Sequence, residues 1–532
     1  MSFVDTSCAP ESVHVFRQRV LRPMSSNDRE RWEVDGCWVE THPEYGRLKI
    51  SVGSPGGETA WVLLRWRGDL PRGVLLLGDH WERGYGDLEW RGMVPERPMP
   101  WYFLLCDGEA THGYGVMTNA ASMCFWTADA SGISLWLDLR CGGLPVRPGL
   151  RTIEAATVIA REGRKSESPF AAANALCRTL CRKSRLTPLP TYGGNNWYYA
   201  YGKSSHEQIL VDATLISRLA ADENRPFMVI DSGWEPRDGQ RGGELETNDR
   251  FPNMPRLADQ ISDVGAQPGI WIRPLLTRGE EPRTWRLPTG RFTATEVPVL
   301  DPTVPEAAER ITLHIRTLVE WGYRLIKHDF TTYDLLARWG FEMGVRVTAD
   351  GWAFTDRSRT TAEVISDLYR VMREAAGEET LLLGCNTVGH LAAGLFEVQR
   401  TGDDTSGRKW ERTRKMGVNS LAFRMPQQGA FFDCDADCVG LTERVPWPLN
   451  RQWLDVLSRS GTSLFVSADP DVVGSAQETD LKMAFARAAR RQAPAEPVDW
   501  METTCPRIWR FGEETAEYDW LIAETGVDAL SD

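Results

Sequence analysis

From Thr191 onward the chain alternates short apolar runs with helical stretches, eight times in about 280 residues. The runs lie in "GGNNWYYAYG", "RPFMVIDSGW", "QPGIWIRP", "YRLIKHD", "ETLLLGCN", "LFEVQRTGDD", "NSLAFRM" and "TSLFVSA". Runs of strand length followed by helices of period 3.6 are βα units, and successive βα units pair their strands in parallel. Eight units suggest a closed (β/α)8 barrel; an open doubly wound sheet is the alternative that pattern alone leaves standing. In a barrel the residues that close each strand meet at one mouth, so those residues are where chemistry is expected.

Residues 1–165 have a different rhythm. "GRLKISVG", "TAWVLLRW", "GVLLLGDHW", "YGVMTNAASMCFWT" and "GISLWLDLR" are short segments separated by Gly, Pro and Asp clusters, the pattern of a β-sandwich. "SPFAAANALCRTLCRKSRL" reads as a helix capped by Ser168 and stopped by "TPLP", so 166–189 is expected to link the sandwich to a barrel at 190–473. Residues 474–532 read as a short mixed extension, helical in "DLKMAFARAARRQA" and β in "PRIWRFGEETAEYDWLIAET". The expected fold class is α/β: a (β/α)8 barrel with an N-terminal β-sandwich and a short C-terminal β extension.

Composition excludes some functions. A formal net charge of −13 does not suit a chain that binds phosphate backbones. "MSFVDTSCAPESVHVFRQRV" has no basic segment followed by a long apolar stretch, and no run reaches the ~20 apolar residues of a membrane span. The eleven cysteines form no paired CxxC sets, so they read as free thiols in a reducing cytoplasm. "DCDADC" matches neither a calcium loop nor a zinc finger and reads as a polar loop at the barrel rim. "WERGYGDLEW" is either a loop that reaches a barrel mouth or a strand turn with core aromatics. The 22 tryptophans include flat surfaces of the kind that meet the apolar faces of pyranose rings.

The strand ends collect polar residues. In order they are Asn195, Asn196 and Trp197; Asp231, Ser232 and Trp234; Trp271 and Arg273; Lys327 and Asp329; Cys385 and Asn386; Arg400, Asp403 and Asp404; Arg424, Gln427 and Gln428; and "SADP". A single strand-end Asp is usually a turn or a helix cap. A ring of them suits glycoside hydrolysis, in which one carboxylate attacks and another group protonates the leaving oxygen. Lys327 lies two residues before Asp329 and faces the same side of its strand, so it is expected to keep Asp329 ionised. Which of Asp403 and Asp404 keeps a proton is not set by sequence.

These segments together resemble the melibiase-type α-galactosidases, glycoside hydrolase families 36 and 27. "PFMVIDSGWE", "DRFPNMPRLADQISDVGAQPGIWI", "VPVLDPTVPEAAERI", "LIKHDF", "GCN" and "QRTGDDTS" are similar to family segments in the same order, over roughly residues 190 to 470. The resemblance implies a retaining exo-α-glycosidase acting on a terminal α-galactoside. It makes Asp329 the nucleophile and Asp403 the acid/base. It makes Lys327, Asp231, Trp197, Cys385 and Arg400 contacts to the sugar, with Trp271 a weaker candidate. It implies no metal or organic cofactor and a carbohydrate as partner; nucleic acid and membrane are not expected, and a homo-oligomer is compatible. The sequence departs from the family at Ser232, where a second Asp is usual, at Arg273, and after Cys385. Those departures leave open an α-N-acetylgalactosaminide, a β-L-arabinopyranoside, transfer to another sugar, or a non-catalytic carbohydrate-binding barrel.

Overall fold

The computed structural model describes residues 3–17, 20–221, 223–236, 245–291 and 298–520. Its N-terminal part is two antiparallel sheets. The six-stranded one comprises Ser12–Arg17, Val20–Pro23, Trp61–Arg67, Met99–Pro100, Met123–Asp129 and Gly132–Asp138. The eight-stranded one comprises Arg31–Val34, Cys37–Glu44, Arg47–Gly53, Leu75–Gly78, Arg91–Gly92, Tyr102–Cys106, Thr111–Val116 and Ile153–Arg161. Strand alternation builds the core between them: Val62, Leu64 and Trp66 alternate with outward residues and are buried. Trp66 meets Trp126 at 6.3 Å, and Phe103 stacks on Tyr114 at 4.9 Å. Helix Pro169–Leu180 follows, capped by the Ser168 side chain as expected. It lies on Thr111–Val116, where Gly113 and Gly115 leave room for Leu176 and Leu180.

Eight parallel strands close the barrel: β1 Tyr192–Asn195, β2 Phe227–Ile230, β3 Gln267–Ile272, β4 Leu325–His328, β5 Leu381–Gly384, β6 Val398–Arg400, β7 Asp433–Leu441 and β8 Ser463–Ala468. Closure is the pairing of β1 with β8, Gly193 opposite Phe465. Gly193 has φ of 150°, and a Cβ there would lie 1.9 Å from the Phe227 carbonyl oxygen, so β1 approaches β2 only with glycine. A three-stranded sheet of Glu496–Pro497, Ile508–Phe511 and Glu514–Glu517 follows helix Ser475–Ala488. The end of the expected C-terminal β segment, from residue 521, lies outside the described residues.

The seventh strand differs from expectation. "NSLAFRM" is helical: Trp410–Arg412, a π-helical stretch Thr413–Asn419 and Ser420–Arg424 run on without a break. Its apolar run faces the core from one continuous helix, and short apolar runs do not distinguish helix from strand. Arg424, Gln427 and Gln428 therefore close a helix, not a strand. The strand is "DCDADCVGL", every residue of it buried. Aspartate is disfavoured in strands, which is why this segment reads as a loop in sequence. Its carboxylates persist in the core because they are hydrogen-bonded: Asp433 accepts from Thr187 N and Gln428, and Asp437 from Thr405 N, Thr405 Oγ1 and Tyr198. A register shift between Asp435 and Cys438, with Asp437 at φ 71°, lets the bulged strand turn Asp437 toward the Thr405 loop. All eleven cysteines are free thiols. No helix among the described residues is long and apolar enough to cross a membrane.

Candidate active site

A cavity of about 460 Å³ opens at the C-terminal ends of the barrel strands. Trp197, Asp231, Ser232, Trp271, Arg273, Lys327, Asp329, Asp403 and Asp404 line it, with Arg83, Phe330, Trp339, Phe341 and Arg412. Six of the eight sequence-identified site residues thus share one wall or another of a single pocket. Cys385 and Arg400 do not line it. Both are fully buried beneath it, with Arg400 Nη1 3.3 Å from Cys385 Sγ.

Strand β4 delivers Lys327 and Asp329 to the same side, as alternation requires, while His328 turns outward against Phe396. Burial pushes the His328 imidazole down to about 3, so it is a neutral packing group. Asp329 is half-buried. Its Oδ2 accepts from Trp271 Nε1 at 3.2 Å and its Oδ1 from the Phe330 amide at 2.7 Å. Phe330 sits at φ 59°, a left-handed conformation costly for a bulky side chain, and it starts helix Thr331–Leu336. The strain bends the chain directly behind the carboxylate and turns that amide onto it.

Lys327, expected to keep Asp329 ionised, is bonded to Asp231 instead. Its Nζ donates to Asp231 Oδ2 at 2.7 Å, and Asn195 Nδ2 reaches the same oxygen at 2.7 Å. Burial works most strongly against the ammonium, but Asp231 first, together with Cys385 and Asp437, outweighs it and holds Lys327 protonated. Strand β2, adjacent across the sheet, brings Asp231 to Lys327, and a salt bridge between strand ends is not readable from spacing along one strand. Behind it, Glu235 is 1 % exposed; Oε2 accepts from Gly233 N at 3.0 Å and Oε1 has no hydrogen-bond partner among the described residues. Burial first, and Asp231 with it, push Glu235 up to about 7 against that amide bond. A carboxyl whose folded pKa is raised contributes its full stability below its ordinary value of 4.5 and loses it as pH climbs to about 7. Glu235→Gln is therefore expected to gain stability relative to the native protein between pH ~4.5 and ~7 and to stay level above, measured by urea titrations across pH.

Arg273 closes β3. Its Nε and Nη2 form a two-pronged bridge to Asp334 at 3.0 and 2.6 Å, and its guanidinium lies 4.2 Å over the Phe330 ring. Asp334 has no exposed side-chain surface. Asp334→Ala is expected to cost about 3–5 kcal/mol, because it leaves a buried guanidinium without its carboxylate. A denaturant midpoint equal to that of the native protein would contradict this.

Strand β6 carries Arg400, and the loop after it carries Asp403 and Asp404. Arg400 Nη2 lies 3.2 Å from Asp404 Oδ1 and 3.1 Å from Asp437 Oδ2, so the buried β7 carboxylate anchors the β6 end. Burial opposes charge at Asp404, but Arg400, Arg83, Lys327 and Arg412 outweigh it and hold the carboxyl down at about 2. The Asp404 side chain keeps 38 % of its surface exposed to the cavity side. Asp403 is more constrained: Oδ1 accepts from Arg83 Nη2 at 2.7 Å and Oδ2 from Arg412 Nη2 at 2.8 Å.

Arg83 comes from the N-terminal sheets. "WERGYGDLEW" is a loop that enters its own barrel mouth: Gly84 N donates to Thr401 O at 2.8 Å, and Asp403 N donates to Gly84 O at 2.9 Å. Glu82 anchors it by accepting from Asn386 and from Gly340 N at 2.8 Å. The mixture of Glu, Arg and aromatics in that loop was the signal available in sequence; contact with a segment more than three hundred residues away is not. Trp339 and Phe341 were also missed, since they follow a short helix and close no strand.

No protein-family model matches the sequence. The structure does match solved structures. The α-galactosidase TtGalA from Thermus thermophilus, in complex with p-nitrophenyl α-D-galactopyranoside, superposes with TM-score 0.62 at 18% identity, over 96% of this chain and 99% of that one. This chain shares its fold with that α-galactosidase. A family 36 α-galactosidase variant, AgaA from Geobacillus stearothermophilus, in complex with stachyose, gives TM-score 0.57 at 16% identity over 90% of this chain and 72% of that one. The galactosidase domain of the α-galactosidase-sucrose kinase AgaSK gives 0.58 at 14% identity over 90% and 71%. Sandwich and barrel alike are thus shared with this fold.

Proposed function

We propose that the chain is a divergent glycoside hydrolase of family 36, a retaining exo-α-glycosidase of α-galactosidase type. The observation that carries this reading is the single cavity at the barrel mouth, in which Asp329 and the Asp403–Asp404 pair stand on different strand ends around Trp197, Trp271 and the Lys327–Asp231 bridge. Asp329 attacks the anomeric carbon and forms a glycosyl-enzyme ester; Trp271 and the Phe330 amide hold the carboxylate in place. Lys327, Asp231 and Trp197 face the sugar, while Arg400 and Cys385 support the floor from below. Burial, then the Asp329 charge, push the Cys385 thiol well up, so it remains a thiol.

The acid/base is assigned to Asp404, not Asp403. Both Asp403 oxygens are taken by guanidinium groups, whereas Asp404, which also lines the cavity, has one oxygen without a hydrogen-bond partner among the described residues. Asp404, ionised in the free protein, takes up a proton with the substrate bound before it protonates the leaving oxygen, and it later deprotonates water. The eleven unpaired thiols support a cytoplasmic location. Hydrolysis of p-nitrophenyl α-D-galactopyranoside by the purified protein is the direct test, run beside the α-N-acetylgalactosaminide and β-L-arabinopyranoside. Sugar binding without turnover of any of them would favour a carbohydrate-binding barrel.

A further inference from the structure

The mouth of the cavity carries an aromatic wall that the bond-breaking groups do not need. Phe330, Trp339 and Phe341 line the cavity, and all three belong to the segment that follows β4. Phe341 is 61 % exposed, and no other phenylalanine or tryptophan among the described residues is exposed to that degree. A single exposed apolar ring needs no explanation by itself, but this one is fastened in place. Gly340 N donates to Glu82 Oε1 at 2.8 Å and to Tyr85 Oη at 3.2 Å. A Cβ on Gly340 would lie 2.7 Å from Glu82 Cγ and from Tyr85 Cε2, so the sandwich loop presses directly on this turn. Glu342 Oε2 accepts from Trp339 N at 2.8 Å, and the Tyr85 ring meets Phe341 edge-on at 5.0 Å. Trp339 is stacked on Tyr333 at 4.4 Å and meets the Phe330 ring at 5.4 Å.

The pocket is graded in depth and in polarity. Asp231, Lys327 and Trp271 are buried at its floor, whereas Phe341 stands at its rim. The charged groups nearest the wall are matched within the protein: Arg83 and Arg412 meet on Asp403, and Arg273 meets Asp334. Both Asp403 oxygens are used in this way. A second sugar beside the wall would need acceptors for its hydroxyls, whereas a flat apolar ring needs only a face or an edge. We propose that this protein takes glycosides whose aglycone is an aromatic ring, received against Trp339 and Phe341. This rests on the glycosidase reading, which puts the sugar at the polar floor and the leaving group toward the mouth. Aromatic rings pair offset-stacked or edge to face, and a wall already held in place gives up little freedom on contact. Trp339 and Phe341 then select the substrate, and no step of the reaction passes through them.

The test uses the full chain with Asp329→Asn, which keeps the pocket and stops turnover. Calorimetry measures affinities for α-D-galactopyranosides with methyl, phenyl and 6-linked glucosyl aglycones. The same three aglycones are run on the α-N-acetylgalactosaminide and the β-L-arabinopyranoside. On the sugar that binds, the phenyl glycoside is expected to bind about tenfold or more tighter than the methyl and the glucosyl ones. Phe341→Ser, at an exposed position, is expected to cut the phenyl-to-methyl ratio by about threefold or more, and Trp339→Leu by more still. The methyl glycoside controls for damage to the floor, because general damage lowers both affinities and leaves the ratio alone. An unchanged ratio in both variants, or a glucosyl aglycone bound as tightly as phenyl, overturns the aromatic aglycone and leaves the glycosidase reading intact. Absence of binding by the whole series overturns the aromatic aglycone. Joined to no hydrolysis of the p-nitrophenyl glycosides by the native protein, it overturns the glycosidase reading as well.

Discussion

Asp329→Ala is expected to lower kcat/KM on aryl α-galactosides on the order of 10⁴-fold or more, the scale on which loss of a covalent nucleophile acts. The fold should survive, because Asp329 is half-buried and its partners, an indole N–H and the amide of the next residue, are not charged. The diagnostic experiment is chemical rescue. In Asp329→Gly, azide fits the space left by the carboxylate, and the expected product is the glycosyl azide of inverted configuration. An azide product of retained configuration, or full activity in Asp329→Ala, would falsify the nucleophile assignment.

The second large effect separates the two adjacent aspartates. Asp404→Ala is expected to reduce kcat/KM by about 10²–10⁴-fold on substrates with poor leaving groups, and much less with p-nitrophenol, which departs without a proton. Added azide should restore turnover and yield a product of retained configuration. Asp403→Ala is expected to fail differently. It leaves Arg83 and Arg412 on no carboxylate and releases their grip on the β6 loop, costing about 3 kcal/mol of stability, while its rate loss should not depend on leaving-group pKa. If the leaving-group dependence appears in Asp403→Ala and not in Asp404→Ala, the roles are reversed.

The arrangement explains why so much weight falls on the loop after β6. Three parts of the chain meet there: Arg83 from the sandwich, Asp403 and Asp404 from the barrel, and Arg412 from the helix that follows. The backbone contacts of Gly84 with Thr401 and Asp403 make the sandwich part of the pocket wall. A sandwich variant that disturbs residues 81–86 should therefore alter catalysis without touching the barrel.

Much of this was legible in sequence. Seven of the eight barrel strands follow from apolar runs and the helices between them, and the strand ends named Asp329, Lys327, Asp231, Trp197, Trp271 and Asp403, all of which line the cavity. The misread strand is instructive. "DCDADCVGL" is a strand because Thr187, Thr405, Gln428, Tyr198 and Arg400 satisfy its carboxylates, and those donors come from other parts of the fold. "NSLAFRM" joined a helix through a π-helical stretch, which shifts the face that an apolar run presents. Lys327 lines the cavity and its partner is Asp231, which spacing along β4 does not reveal because β2 brings it there.

The sequence by itself determined the architecture, the mouth of the barrel and the identity of most groups around it. Periodicity of two or 3.6 is local, and strand ends are positions along the chain, so both survive without coordinates. Only the tertiary structure decided which charge meets which: Lys327 with Asp231, Arg273 with Asp334, and Arg83 and Arg412 together on Asp403. Electrostatic pairing acts over a few ångströms between residues that lie 9 to 320 positions apart in sequence. The partners, and with them the different surroundings of Asp403 and Asp404, exist only after the chain has folded.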